Sequence, residues 1–278
     1  MEQITFKKMH GLGNDFVVID GRDKNPNLTP DQLRAIGDRH RGVGYDQLVV
    51  LEPDTDADVF MRIYNSDGTE AEACGNATRC VAHLTMAETG KDKIVIETVA
   101  GLLNGHQQDD GIVVINMGTP RMGWQDIPLA KEQDTEHVGI AAGPLSDPVA
   151  VNMGNPHLVF FVDDAEAIDL EKWGPVLEHD PMLPNKANIS VASVNSDGSL
   201  RLRVWERGVG ITLACGSAAC ATIVAAFLRG LTKRKATLHL NGGPLYMEWQ
   251  EDGTVLMGGA IAYSFDGVLS KDLLTGTK

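Results

Sequence analysis

Cationic charge is in short supply in this sequence: 24 Lys and Arg face 38 Asp and Glu, a formal net charge of −14. Phosphate backbones and acidic lipid surfaces require a basic footprint, so no nucleic-acid or membrane partner is expected. An anionic small molecule stays admissible, because a local donor cluster overrides the global field. Cysteine is scarce as well, with four in 278 residues. Cys74 and Cys80, like Cys215 and Cys220, are spaced too widely for a C-x2-C knuckle, and no metal is expected. The opening "MEQITFKKMHGLGNDF" has no apolar run after its charges, so no signal peptide is expected. The most apolar segment, Leu213–Leu231, contains Cys, Gly, Ser and Arg229 and reads as a buried helix rather than a membrane span. The expected compartment is a reducing cytoplasm, where structural disulfides are disfavoured.

Two of the four cysteines occupy matched settings, "AEACGNATRCVA" at Ala71–Ala82 and "LACGSAACAT" at Leu213–Thr222. Cys74 and Cys215 are 141 residues apart (215 − 74). The same offset, without a gap, carries "GND" (Gly13–Asp15) onto "GNP" (Gly154–Pro156), "RIYNSDG" (Arg62–Gly68) onto "RVWERGV" (Arg203–Val209), and Gln47 onto Asn188. Several matches at one offset and in one order indicate two homologous halves.

The coarse pattern agrees. Alternating runs predict strands at Phe16–Asp20, Gln47–Glu52, Val59–Tyr64, Lys93–Glu97 and Gly111–Asn116, then at Leu158–Val162, Asn188–Val194, Leu200–Trp205 and Thr237–Leu240. Asp-Gly turns between short strands favour antiparallel sheets that curl. One helix is expected after each motif cysteine, over Asn76–Glu88 and Ser217–Arg229, the second apolar nearly all round and so enclosed by other structure. The expected class is α+β: two pseudo-symmetric domains from an internal duplication, each a curled, mainly antiparallel sheet or barrel around a central helix. The division reads as 1–118 and 119–263, with a linker in Gly118–Pro128.

A cysteine at a helix N-terminus sits beside unpaired amides and the positive end of the dipole, an arrangement that lowers a thiol pKa and receives carboxylates. Gly75 and Gly216 allow close approach of a ligand, and Asn76 and Ser217 add polarity in the first turn. Cys80 and Cys220, inside their helices, fit packing instead. Two opposed thiols beside one anion site suit inversion of an α-carbon: one abstracts a proton while the other donates to the opposite face. The halves differ where Asn65 becomes Glu206 and Ser66 becomes Arg207, adding an acid and a guanidinium fork suited to a second ammonium and carboxylate. The lesser alternative for Glu206 and Arg207 is an exposed pair. Asn14, Asn155, Gln47 and Asn188 supply neutral donors and acceptors, although asparagine beside glycine is by default a turn residue. His157 either caps a turn or tunes the thiols.

The sequence resembles the diaminopimelate epimerase family. The resemblance spans essentially the whole chain and rests on "MHGLGNDF", "GVGYDQL", "YNSDGTEAEACGNATRC", "GNPHLVFFV" and "WERGVGITLACGSAACA". It implies cofactor-independent epimerisation of LL- to meso-diaminopimelate in lysine and peptidoglycan precursor synthesis, with Cys74 and Cys215 exchanging acid and base roles. It also implies a pocket of Asn14, Gln47, Asn65, Asn155, Asn188, Glu206 and Arg207. The amides at Gly75, Asn76, Gly216 and Ser217 would hold the reacting carboxylate, with His157 and Glu206 assisting proton transfer. A homodimer, and the return of 264–278 to the first domain, are expected on the same ground. Ala77, Ala218 and Ile211 depart from the usual motif. The alternatives are a proline racemase-like enzyme and a non-catalytic thiol- or ligand-binding derivative; a phenazine-type isomerase on this fold would lack the cysteine pair.

Overall fold

The computed structural model describes residues 3–108 and 110–275. It divides into two units, Met1–Ile115 with Gly259–Lys278, and Asn116–Gly258. The expected return of 264–278 to the first unit includes 276–278, which lie outside the described residues.

In the first unit, β1 (Ile4–Gly11) and β2 (Asn14–Asp20) form an antiparallel hairpin. Its two-residue turn, Leu12-Gly13, has φ of 55° and 85°. Positive φ at both positions matches the twist of the flanking strands and delivers Asn14 directly into β2. Helix α1 (Pro30–Gly37) starts with a Thr29–Gln32 capping box and Pro at the first turn. Then follow β3 (Gln47–Glu52), β4 (Val59–Asn65), β5 (Glu70–Ala71), helix α2 (Gly75–Thr89), β6 (Lys93–Thr98), β7 (Gly101–Gln107) and β8 (Val113–Asn116). Strand β2 runs parallel to β3 and β4 parallel to β6, whereas β3–β4, β4–β5 and β6–β7 are antiparallel.

The second unit carries β9 (Ala141–Ala142), β10 (Leu145–Ser146), β11 (Val149–Asn152), β12 (Pro156–Phe161), helix α3 (Leu170–Glu178), β13 (Asn188–Val194), β14 (Leu200–Glu206), β15 (Gly210–Ile211), helix α4 (Gly216–Leu228), β16 (Lys235–Leu240), β17 (Gly243–Trp249) and β18 (Val255–Gly259). The chain then re-enters the first unit as β19 (Ala262–Leu269), antiparallel to β1, and α5 (Lys271–Thr275). Gln32 of α1 donates to the Leu274 carbonyl at 2.8 Å, tying α5 to that helix.

The duplication is written into the strand registers. Phe16 pairs with Gln47, Leu48 with Tyr64, and Tyr64 with Glu70; His157 pairs with Asn188, Ile189 with Trp205, and Trp205 with Ile211. Each second-unit pair is a first-unit pair carried forward by the motif offset. Past the helices the offset lengthens by one residue: Ile96 pairs with Leu103, and Leu238 with Leu245. The class is α+β, with the parallel β2–β3, β4–β6, β12–β13 and β14–β16 pairs an addition to the antiparallel expectation.

Each unit encloses its helix. Helix α2 packs on β1, β4, β6 and β7, and α4 on β11–β14, β16 and β17. Ten residues of α4 are buried, so its apolar circumference has protein on nearly every side. No helix among the described residues is long and apolar enough to cross a membrane. Segment 118–128, read above as a linker, instead belongs to the second unit. Arg121 there bridges Asn152, and the buried Ile127 joins Leu158, Phe160 and Ile189 in that unit's core. The first core gathers Phe6, Val17, Ile36, Tyr45 and Leu48.

Candidate active site

Cys74 is the N-cap of α2 (φ −151°, ψ 109°), and its carbonyl accepts the Thr78 N–H at 2.9 Å. Helix geometry leaves the first-turn amides, including those of Gly75 and Asn76, without intrahelical acceptors. Close approach of the hairpin to this end needs Gly11: a Cβ there would lie 3.3 Å from the Asn76 Cβ and 3.1 Å from the Arg79 guanidinium. The hairpin thereby brings Asn14 to the thiol. Asn14 Oδ1 accepts from Cys74 Sγ at 3.7 Å and from Asn76 Nδ2 at 3.2 Å. Its Nδ2 donates to Asp46 Oδ2 at 3.0 Å, and the same oxygen accepts the Asp15 N–H at 3.1 Å.

A lattice of charge supports this corner. Arg39 bonds both Asp15 and Asp46 at 2.7 Å, and Lys8 bonds Asp15 and the Gly44 carbonyl. Burial pushes the Asp15 carboxyl up, but Arg39 and Lys8 together bring it below the usual carboxylate range. One residue along, Gln47 Nε2 donates to Asn65 Oδ1 at 3.3 Å, and Asn65 Nδ2 to Thr69 at 3.1 Å. Gln47 Oε1 is buried without a hydrogen-bond partner, leaving an acceptor for a ligand N–H.

The second unit repeats the plan with different chemistry. Cys215 is the N-cap of α4 (φ −127°, ψ 111°), with Sγ 3.5 Å from the Ser217 hydroxyl. The sulfur is buried, whereas Cys74 is half-buried. The helix terminus lowers this thiol through the Ala218 N–H, but other causes outweigh it. Burial raises the Cys215 pKa well above its ordinary value, the negative charge of Glu206 raises it further, and Ser217 opposes both. Glu206 ends β14 and accepts the Thr212 hydroxyl at 2.5 Å. Burial likewise pushes Cys80 up to about 12, in keeping with a packing role.

His157 lies wholly buried on β12, with Nε2 2.8 Å from Asn155 Oδ1. Burial first, and the Arg207 charge second, hold its pKa down at about 3, so the ring is neutral at pH 7. Its Nδ1 is buried with no hydrogen-bond partner. Asn188 Nδ2 donates to the Pro156 carbonyl at 3.0 Å, and its Oδ1 accepts the Arg207 N–H at 2.9 Å. Arg207 is exposed, its guanidinium reaching the Asn185 carbonyl at 3.1 Å.

Each unit thus carries a cluster of its own. Asn14, Cys74 and Asn76 come together in the first unit, with Gln47 and Asn65 adjoining on β3 and β4. Cys215, Ser217 and Glu206 do so in the second, where Asn188 ties β13 to the turn bearing Arg207. Asp46 and Thr212 were not singled out from sequence, although both lie inside the quoted motifs, next to Gln47 and Leu213. Their role shows only once the hydrogen-bond partners are known. Among the described residues no group of three His, Cys, Asp or Glu gathers as metal donors.

A family model described as diaminopimelate epimerase matches residues 6–123 and 149–263. A protein of Rhodospirillum centenum named diaminopimelate epimerase is 56% identical over 274 residues, 98% of this chain and 94% of that protein. One of the same name from Acidiphilium cryptum is 50% identical over 269 residues, covering 97% of each. Among solved structures, a PhzF-family phenazine biosynthesis protein of Bacillus anthracis superposes with a TM-score of 0.70 at 18% identity, covering 97% of this chain and all of that one. A hydroxyproline epimerase of Agrobacterium vitis gives 0.66 at 15% identity, covering 97% and 93%. These distant likenesses speak to the fold alone.

Proposed function

The chain belongs to the diaminopimelate epimerase family and is an isomerase, and on that premise we propose that it interconverts LL- and meso-diaminopimelate by a two-thiol proton transfer. The observation that carries this reading is the matched placement of Cys74 and Cys215, each the N-cap of the enclosed helix of one duplicated unit.

In the proposed reaction one thiol, as thiolate, takes the α-proton and becomes S–H. The other gives its proton to the opposite face of the same carbon and becomes thiolate, so protons and charge balance. The α-C–H is a weaker acid than a thiol by at least ~12 pKa units, or ~16 kcal/mol at 1.36 per unit. Amides at Gly75, Asn76, Gly216 and Ser217 offset this by donating to the carboxylate as it gains enediolate charge. No cofactor is required by this scheme. The neutral His157 and the carboxylate of Glu206 assist by moving protons to and from the thiols. Asn14, Gln47, Asn65, Asn155 and Asn188 line the pocket, and Glu206 with Arg207 receives the non-reacting end.

In keeping with that role, we place the protein in the cytoplasm, in lysine and peptidoglycan precursor supply, where both thiols stay reduced. We also propose a homodimer, supported by the exposed apolar side chains of Tyr263, Phe265 and Val268 on β19; sedimentation at micromolar concentration tests it, and a monomer rejects it. The function itself is tested by incubating LL-diaminopimelate in deuterium oxide at neutral pH with a reductant. Deuterium at the α-carbon together with meso product is expected; no incorporation sinks the proposal.

A further inference from the structure

Glu178 ends α3, is 3% exposed, and has no part in the chemistry above. Its Oε2 accepts the Trp205 indole N–H at 2.8 Å, and its Oε1 accepts the Gly208 backbone N–H at 3.0 Å. Those two donors flank Glu206 and Arg207. Between them, the Arg207 N–H goes to Asn188 Oδ1 at 2.9 Å. The turn is therefore held through three of its four residues, two of them by one carboxylate. Trp205 also lies flush on α3, where a Cβ at Gly174 would come within 2.6 Å of its ring.

The first unit shows what this turn needs without the clamp. At the motif offset, Gly37, the last residue of α1, takes the place of Glu178, and Tyr64 and Ser66 take those of Trp205 and Arg207. A Cβ at Gly37 would meet Ser66 at 3.3 Å, so the backbone packs there directly and no carboxylate intervenes. The halves thus diverge together at one turn: Gly37 against Glu178, Asn65 against Glu206, Ser66 against Arg207. A buried carboxylate carries a desolvation penalty that an apolar residue avoids. Here both oxygens meet fixed N–H donors, and Lys186 Nζ stands 3.8 Å away.

We propose that Glu178 is a positioning residue for substrate selection, clamping Trp205 and Gly208 so that Glu206 and Arg207 meet the non-reacting end of the substrate in one fixed orientation. The inference rests on the epimerase reading. Glu178→Gln keeps the shape but has one acceptor oxygen, so one of the two buried N–H donors must face an NH2 group. The variant is assayed with LL-diaminopimelate, and with L-2-aminoheptanoate, which has the same chain but only one amino-acid end, as a competitive inhibitor. The expected result is a KM raised about tenfold or more, with kcat lowered as well through Glu206, and unchanged inhibition by the one-ended ligand. An unchanged KM overturns the clamp, as does an equal loss for both ligands, which marks general loosening. Should Glu178→Gln fail to fold, Trp205→Phe removes one donor and must shift KM in the same selective way; no shift overturns the clamp. A parent protein that does not epimerise overturns the reading beneath it, whereas an active parent indifferent to Glu178→Gln overturns the clamp alone.

Discussion

Asn14 donates its amide nitrogen to Asp46 at 3.0 Å, and this bond decides which end of the amide Cys74 sees. With nitrogen committed to the carboxylate, the oxygen faces the thiol and Asn76. Removal of Asp46 frees the amide to turn and present N–H to sulfur instead.

Asp46→Ala is therefore expected to lower kcat/KM by about tenfold, and to do so through Asn14. In an Asn14→Ala background the same substitution should have almost no effect, because residues acting through one another are non-additive. Steady-state kinetics on the four proteins of the cycle check this. Simple additivity would mean that Asp46 acts by its charge and not through the amide.

Cys74→Ala and Cys215→Ala should each lower turnover by about 100-fold or more, the scale of a lost general acid or base. Cys74 is half-buried at a helix end and Cys215 is buried but small, so far-UV circular dichroism should be unchanged in both. Either variant retaining near-parental epimerisation excludes the two-base scheme.

The Cys215 thiol is raised first by burial and then by Glu206. Glu206→Gln removes the charge and leaves the burial, so the thiol pKa should fall. Thiolate absorbance near 240 nm, taken as the difference from Cys215→Ala across pH 7–11, reads it. A midpoint that does not move would leave burial as the sole cause.

Much of this site was legible from the chain because the duplication is legible. A single offset located both N-cap cysteines, the Gln47 and Asn188 positions and the divergent Asn65/Glu206 pair, and the strand registers repeat with that same offset. What sequence could not supply is burial. Nothing in "LACGSA" distinguishes a thiol activated by a helix terminus from one suppressed by enclosure, and the structure finds the second at Cys215. Helices α1 and α3 escaped notice because each is short and draws its stability from packing rather than from a long periodic pattern. Glu178 escaped with α3: an isolated acid near a helix end looks solvated until its two N–H partners, 27 and 30 residues on, are seen.

The neutral His157 gives the fold an acid-sensitive point. Its folded pKa, near 3, lies below the ordinary value of 6.5, mainly because burial disfavours the cation. Between those two pH values the unfolded chain binds a proton that the folded chain refuses. Stability therefore falls as pH drops through this window, by up to about 1.4 kcal/mol per unit from this one group, and is insensitive to it above pH ~7. Urea unfolding midpoints at several pH values between 4.5 and 7.5 should fall more steeply for the parent than for His157→Gln, which has no ring to protonate. The variant is expected to be less stable at pH 7.5, having replaced a wholly buried ring, and to close the gap on acidification. Parallel pH profiles for the two proteins would show that the ring accepts a proton in the folded state, and would remove the neutral imidazole from the mechanism proposed for this site.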